Sequence, residues 1–100
     1  MIGKMKIPSK VLINGIPYKV SETNNLQLGL NYGGEIFYNE QEINIRPSSN
    51  ECKEITFLHE CIHGMLHSLG YEKHDEKMVD GLAHQLFMLI KDNQEMFKKG

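Results

Sequence analysis

The sequence predicts an α+β fold, in which a small antiparallel sheet of roughly three to five strands is followed by two long helices packed as an antiparallel hairpin. Apolar and polar residues alternate in the first half of the chain, and apolar residues recur every three or four positions in the second half. A chain of 100 residues, 40% hydrophobic and 24% charged, suits one domain with one core. We expect a β-rich segment over residues 1–47, two helices over 48–93 and a frayed tail over 94–100.

A first hairpin is expected near the N-terminus. The segments Val11-Leu12-Ile13 and Tyr18-Lys19-Val20 flank Asn14-Gly15, a dipeptide that accepts the positive φ angles of a tight hairpin turn. Pro17 places the start of the second strand at a sheet edge or a strand end, because proline has no amide hydrogen to donate.

A second hairpin is expected before the helices. Residues 35–38 and 42–46 alternate apolar with polar side chains on either side of a polar turn. Residues 26–32 fit either a short strand or a turn of helix, and Gly33-Gly34 interrupts them. Chain order suggests that the last strand, residues 42–46, lies at the sheet edge beside the first helix.

Helix signals fill the second half. Ser48 with Glu51 fits a capping box at the start of the first helix, and Gly70 is its expected stop. Asp75 can cap the second helix, which should end near Asp92. The apolar stripe of the first helix comprises Ile55, Leu58, Ile62, Met65, Leu66 and Leu69, and that of the second comprises Val79, Leu82, Leu86, Leu89 and Ile90.

The composition argues against several classes of function. A net charge of -2 and scattered basic residues do not favour direct binding of nucleic acid. No apolar stretch is long enough to span a membrane, and the basic N-terminus lacks the apolar region and cleavage site of a secretion signal. Cys52 and Cys61 would lie in one helix, too far apart to bridge, and suit the reduced thiols of a cytoplasmic protein.

The first helix carries the sequence HExxH at residues 59–63. His59 and His63 lie one helical turn apart on one face, so both imidazoles can reach one metal ion, and Glu60 can reach a water molecule on that metal. This residue set is typical of a zinc hydrolase. Cys61 points away from this face and is expected to be a small core residue.

A catalytic zinc ion needs a third protein ligand. His67 lies about 12 Å along the helix from His59, too far to share one ion with it. His74 could reach the ion from the loop, whereas Glu76 is better placed if the second helix runs back along the first. Asp80, one turn further on, could then accept a hydrogen bond from a ligating imidazole. His84, on the same face, is expected to be a surface residue.

Four side chains are candidates to bind substrate or the developing oxyanion. They are Tyr71, His67, His74 and Tyr38, and the sequence does not rank them.

The HExxH motif, with Glu76 to Ala83 after it, resembles the ImmA/IrrE family of metallopeptidases. These small enzymes are often encoded by phages, and their second helix opens with Glu-x-x-Ala-Asn-x-Phe-Ala. The resemblance matches Glu76 with the family's ligand glutamate, Asp80 with its asparagine and Ala83 with its alanine. The arrangement is also similar to that of gluzincins, and the resemblance implies strands before the active-site helix.

We therefore expect a metallopeptidase in which Zn2+ is held by His59, His63 and Glu76, and Glu60 is the general base. The expected partner is a protein or peptide, such as the repressor that the resemblance suggests, lying extended beside residues 42–46. The alternative is a non-enzymatic phage or host interaction module with a vestigial zinc site, or with a structural one that His67 or His74 closes as fourth ligand.

Overall fold

The computed structural model describes residues 6–98 and confirms the α+β fold. The elements are the strands β1 (Lys10–Ile13), β2 (Ile16–Glu22), β3 (Gly34–Phe37) and β4 (Glu42–Ile45), the helices α1 (Asn50–Ser68) and α2 (Glu76–Asp92), and a short 3-10 helix (Gln94–Phe97). The 3-10 helix occupies most of the segment that was expected to fray. Residues 1–5 and 99–100 lie outside the described residues. The first of these segments is part of the N-terminus that was expected to lack a secretion signal.

The four strands form a mixed sheet in the order β1-β2-β4-β3. The pairs β1·β2 and β3·β4 are the two predicted antiparallel hairpins, but β2 and β4 run parallel, so the expectation of an antiparallel sheet is wrong for the central pair. The connection over residues 23–33 carries the chain past the position of β4, so that β3 forms the edge. The second hairpin then returns β4 to the centre, where Ile43 and Ile45 are completely buried, at 0% exposure.

The first hairpin turn has the predicted geometry. Asn14 and Gly15 have φ angles of 52° and 79°, the two successive positive values that a type I′ turn requires. Pro17 lies in β2 before Lys19, where the pairing with β4 begins, so the strand meets no partner on that side at the proline.

The loop before β3 is neither strand nor helix, but side chains hold it firmly. Glu35 is buried and accepts hydrogen bonds from the Leu28 amide at 3.0 Å and from the Asn44 side chain at 2.9 Å. The guanidinium of Arg46 donates to three backbone carbonyls of the loop, those of Asn24, Gly29 and Tyr32. The loop therefore forms a fixed wall beside β3.

The helix ends follow the sequence signals closely. The cap of α1 is Ser49, which accepts from the Cys52 amide, one residue later than predicted from Ser48. Gly70 has a φ of 95° and ends α1, with hydrogen bonds from the Gly70 amide to the His67 carbonyl and from the Tyr71 amide to the Leu66 carbonyl. Asp75 caps α2 by accepting from the Met78 amide, as expected.

Helix α1 lies between the sheet and α2. It packs against β3, β4 and β1 on one side and against α2 on the other, which buries most of the side chains in its middle turns. At Gly64 it approaches the sheet so closely that an added Cβ would lie 2.8 Å from Cδ1 of Ile13. The core consists of Ile13, Tyr18, Val20, Ile43, Ile45, Phe57, Leu58, Cys61, Ile62, Val79, Ala83 and Phe87.

The buried face of α2 is rotated from the predicted stripe. Leu82 and Leu89, expected in the core, are each 48% exposed, whereas Ala83 and Phe87 are buried. On α1, Met65 and Leu69 are also exposed. Both cysteines are free, with Cys52 at the surface and Cys61 in the core. Within residues 6–98, the helices are too short or too polar to cross a bilayer.

Candidate metal centre

The second half of α1 and the start of α2 bring together His59, His63 and Glu76. Each offers one ligand atom, and these atoms all lie within 4.8 Å of one another. Nε2 of His63 is 3.1 Å from Oε2 of Glu76, and Nε2 of His59 is 3.4 Å from Oε1 of the same carboxylate. The antiparallel course of the two helices places Glu76 opposite the two imidazoles.

This donor set fits a divalent transition metal such as zinc. Two imidazoles and one carboxylate are the ligands of several catalytic zinc sites, which hold zinc at about 2.0–2.2 Å from each donor atom. Tetrahedral coordination at those bond lengths sets donor atoms roughly 3.3–3.6 Å apart. The two separations at Glu76, 3.1 Å to Oε2 and 3.4 Å to Oε1, lie close to that range, each to a different oxygen of the carboxylate.

Asp80 stands behind His59, in the position that the sequence suggested. Its Oδ1 is 3.5 Å from Nδ1 of His59, so this carboxylate faces the ring nitrogen that points away from Glu76. A carboxylate in this position orients an imidazole and favours the tautomer whose Nε2 is free for a metal. His84, also beside Asp80, is exposed as expected.

His74 and His67 lie near the cluster without joining it. Nδ1 of His74 is 2.7 Å from Nδ1 of His63, and Nε2 of His74 is 2.9 Å from the Tyr71 carbonyl. The ring of His67 stacks on Tyr38 with centroids 3.9 Å apart and planes 6° from parallel. Tyr71 contributes its backbone carbonyl, whereas its side chain is exposed.

A cavity of about 600 Å³ opens beside the cluster. Its wall includes the three clustered side chains together with Glu60, Tyr38 and the start of β3. Glu60 is only 6% exposed. Burial first, and then the carboxylates of Glu76 and Glu35, raise the pKa of Glu60 from 4.5 to about 7.

Burial also shifts the pKa values of two other groups in this wall, His63 and Tyr38. It lowers the pKa of His63 below 6.5, against the opposing effect of the Glu76 carboxylate, so the neutral imidazole is favoured at pH 7. It raises the pKa of Tyr38 above 10, and the nearby carboxylates Glu60 and Glu76 act in the same direction. The phenol of Tyr38 therefore remains a hydrogen-bond donor at neutral pH.

Gly34 is a site residue that the sequence did not identify as one. A Cβ at this first residue of β3 would lie 2.6 Å from Cγ2 of Thr56 and 3.2 Å from Oε2 of Glu60. The edge strand thus passes directly over the Glu60 carboxylate. The Gly33-Gly34 dipeptide was visible in the sequence but was interpreted only as an interruption between elements. Its closeness to α1 could not be predicted, because it depends on the strand order.

The strand beside the cavity is β3, and not residues 42–46 as expected from chain order. β4 pairs with β2 on one side and with β3 on the other, so it has no free edge for a substrate. Comparisons of the chain with protein-family models, with curated proteins and with solved structures gave no match.

Proposed function

We propose that this chain is a zinc-dependent metallopeptidase that hydrolyses a peptide bond in a protein partner. One observation carries the proposal: His59, His63 and Glu76 offer ligand atoms within 4.8 Å of one another, and the buried carboxylate of Glu60 lines the same cavity. The resemblance to the ImmA/IrrE family supports the same activity and suggests a regulatory protein, such as a repressor, as the substrate.

The number of ligands favours a catalytic site over a structural one. A structural zinc site is closed by four protein ligands, whereas a catalytic site has three and leaves a position for water. His67 and His74 were the candidates for a fourth ligand. In the described residues His67 stacks on Tyr38, and His74 is hydrogen-bonded to the far side of His63. Both contacts support the open arrangement.

Glu60 is the proposed general base. A bound zinc ion lowers the pKa of a water molecule towards about 7 and polarises a carbonyl group. Glu60 accepts the proton of the attacking water and returns it to the leaving amine. Burial raises the pKa of Glu60, which strengthens this carboxylate as a proton acceptor.

The outer edge of β3, which pairs with no strand within residues 6–98, is the proposed binding site for an extended substrate. An edge strand offers unpaired amides and carbonyls to a peptide of any sequence. Because Gly34 has no side chain, β3 itself lies close to Glu60, so a peptide paired with β3 would lie near this carboxylate. Tyr38, the residue directly after β3, is the proposed donor to the carbonyl oxygen as negative charge develops there, and its stacking on His67 fixes its ring.

The metal is tested first. Protein purified without chelator is expected to contain zinc, and His63→Ala to contain little. His84→Ala is the matched control, because it removes an exposed histidine that lies outside the cluster. A wild-type protein that contains no zinc and takes up none on dialysis would exclude the proposal.

The reaction is tested with zinc-loaded variants and a library of fluorogenic peptides. Glu60→Gln should retain zinc and lose cleavage, and Tyr38→Phe should lower kcat by about 100-fold with little change in KM, as expected for the loss of one oxyanion donor. Full cleavage by Glu60→Gln would eliminate it as the base. If zinc is bound and no peptide is cut, the interaction module becomes the better explanation.

A further inference from the structure

We propose that His74 is a positioning residue for the metal centre, which holds the ring of His63 so that Nε2 faces Glu76. The inference rests on the proposed zinc site and extends it to the loop between the helices. His74 was expected as a possible third ligand or substrate contact, but its Nδ1 lies 2.7 Å from Nδ1 of His63, on the side of that ring away from the cluster.

The direction of the hydrogen bonds follows from the Tyr71 carbonyl. A carbonyl oxygen can only accept, so Nε2 of His74, 2.9 Å away, must carry a proton and donate it. In a neutral His74 the other nitrogen, Nδ1, is then an acceptor. His63 must donate to it from its own Nδ1, which leaves Nε2 of His63 unprotonated and 3.1 Å from Oε2 of Glu76.

The two ends of this loop are fixed by helix-end motifs. Before His74, Gly70 adopts its φ of 95° and the Tyr71 amide bonds to the Leu66 carbonyl, which orients the adjoining backbone. After it, Asp75 is the cap of α2. His74 therefore joins two ordered helix ends, and its ring transmits their position to His63.

Each of the two histidines in the cluster has a polar partner facing its Nδ1. Asp80 faces Nδ1 of His59 at 3.5 Å, and His74 faces Nδ1 of His63 at 2.7 Å. Partners of this kind fix the tautomer and the ring angle of a ligand, and their loss typically weakens metal binding by about 10- to 100-fold. His74 thus does for His63 what Asp80 does for His59.

Three variants test the role of His74. His74→Ala removes the acceptor, and His74→Asn supplies a side-chain oxygen in its place. Lys73→Ala is the control for a change in the same loop, because Lys73 is an exposed neighbour. Circular dichroism of each variant checks the fold before comparison.

The first measurement uses metal-free protein and 15N NMR of the histidine rings, at a pH high enough for both imidazoles to be neutral. In wild type and Lys73→Ala, His63 should carry its proton on Nδ1. In His74→Ala it should shift towards the Nε2–H tautomer, and His74→Asn should restore the wild-type pattern. The same tautomer in wild type and His74→Ala would overturn the proposal, whether or not the protein binds zinc.

The second measurement is the affinity for Zn2+ alone, by competition with a chromophoric chelator. We expect about a 10- to 100-fold loss in His74→Ala, recovery in His74→Asn and no change in Lys73→Ala. An unchanged affinity in His74→Ala overturns the positioning role. A loss that asparagine does not restore, with the tautomer of His63 unaltered, would instead make His74 a metal ligand.

Discussion

In the metal-free protein, Glu60→Gln should raise the free energy of unfolding above pH 7 and change it little near pH 4. The pKa of Glu60 is about 7 in the fold, raised from 4.5 chiefly by burial. Between pH 4.5 and pH 7 the unfolded chain has released the proton of Glu60, whereas the folded chain keeps it. The folded state is therefore progressively disfavoured as the pH rises. Above pH 7 this loss of stability is complete, and the difference between the two pKa values corresponds to about 3 kcal/mol.

The assay is urea unfolding of wild type and Glu60→Gln, in the presence of a chelator, at a series of pH values. The difference between the two should grow from near its minimum at pH 4 to about 3 kcal/mol at pH 8. Glu72→Gln removes an exposed carboxylate from the loop and should show no such trend. A difference in the free energy of unfolding that stays constant with pH would refute the reasoning. It would mean that the substitution acts through packing and not through the buried charge.

Two pairs of glycines give further tests. Gly81 lies inside α2 with nothing within 4 Å of an added Cβ, so Gly81→Ala should stabilise the protein by up to about 1 kcal/mol. Gly64→Ala places its Cβ 2.8 Å from a side-chain methyl of β1. Its free energy of unfolding, measured in urea, should be about 1–3 kcal/mol below that of Gly81→Ala. Equal effects would contradict the tight packing of α1 on the sheet. Gly34→Ala should lower stability because its Cβ would lie 2.6 Å from Cγ2 of Thr56, and Thr56→Ser in that background should recover most of the loss. Gly33→Ala, with a 3.7 Å contact, is the control that should have a small effect.

Local features were predictable because neighbours in the sequence fix them. The Asn14-Gly15 turn needs two positive φ angles, and the end of α1 needs a third at Gly70. Asp75 caps α2 through an amide three residues away. The placement of Glu76 opposite HExxH followed from two further facts, namely that a short loop forces the helices to run antiparallel and that Glu76 lies in the first turn of the second.

Strand order could not be read in the same way. It depends on which strand buries the most apolar surface when the sheet packs against α1. The connection over residues 23–33 is long enough for β3 to reach the edge of the sheet. Ile43 and Ile45 are the clue, since both side chains are completely buried in the central strand. An alternating pattern predicts a strand with one buried face, but it does not say whether a partner lies on each side.

The buried face of α2 could have been either of two adjacent stripes of apolar residues. Leu82 and Leu89 carry more apolar surface than Ala83, yet they are exposed and Ala83 is completely buried. Periodicity favours the larger side chains, whereas close helix packing favours a small one at the contact. The proposed role of His74 could not be predicted from the sequence either, because the direction of its hydrogen bonds depends on where the Tyr71 carbonyl points.

The proposed metal site combines two arrangements that are electrostatically unfavourable in the metal-free fold. Glu60 is buried with a raised pKa, and an unprotonated Nε2 of His63 would face a carboxylate oxygen of Glu76 at 3.1 Å. Both arrangements are unfavourable without a positive charge between or beside them, and a divalent cation supplies one. The unfolded chain does not hold the three ligands within 4.8 Å, so the ion binds the folded state and stabilises it, by about 4 kcal/mol at a thousandfold excess over Kd. Zinc should therefore stabilise wild type against unfolding and, by lowering the pKa of Glu60, narrow the stability difference from Glu60→Gln at pH 8. Both effects come from the same charges that the proposed reaction uses.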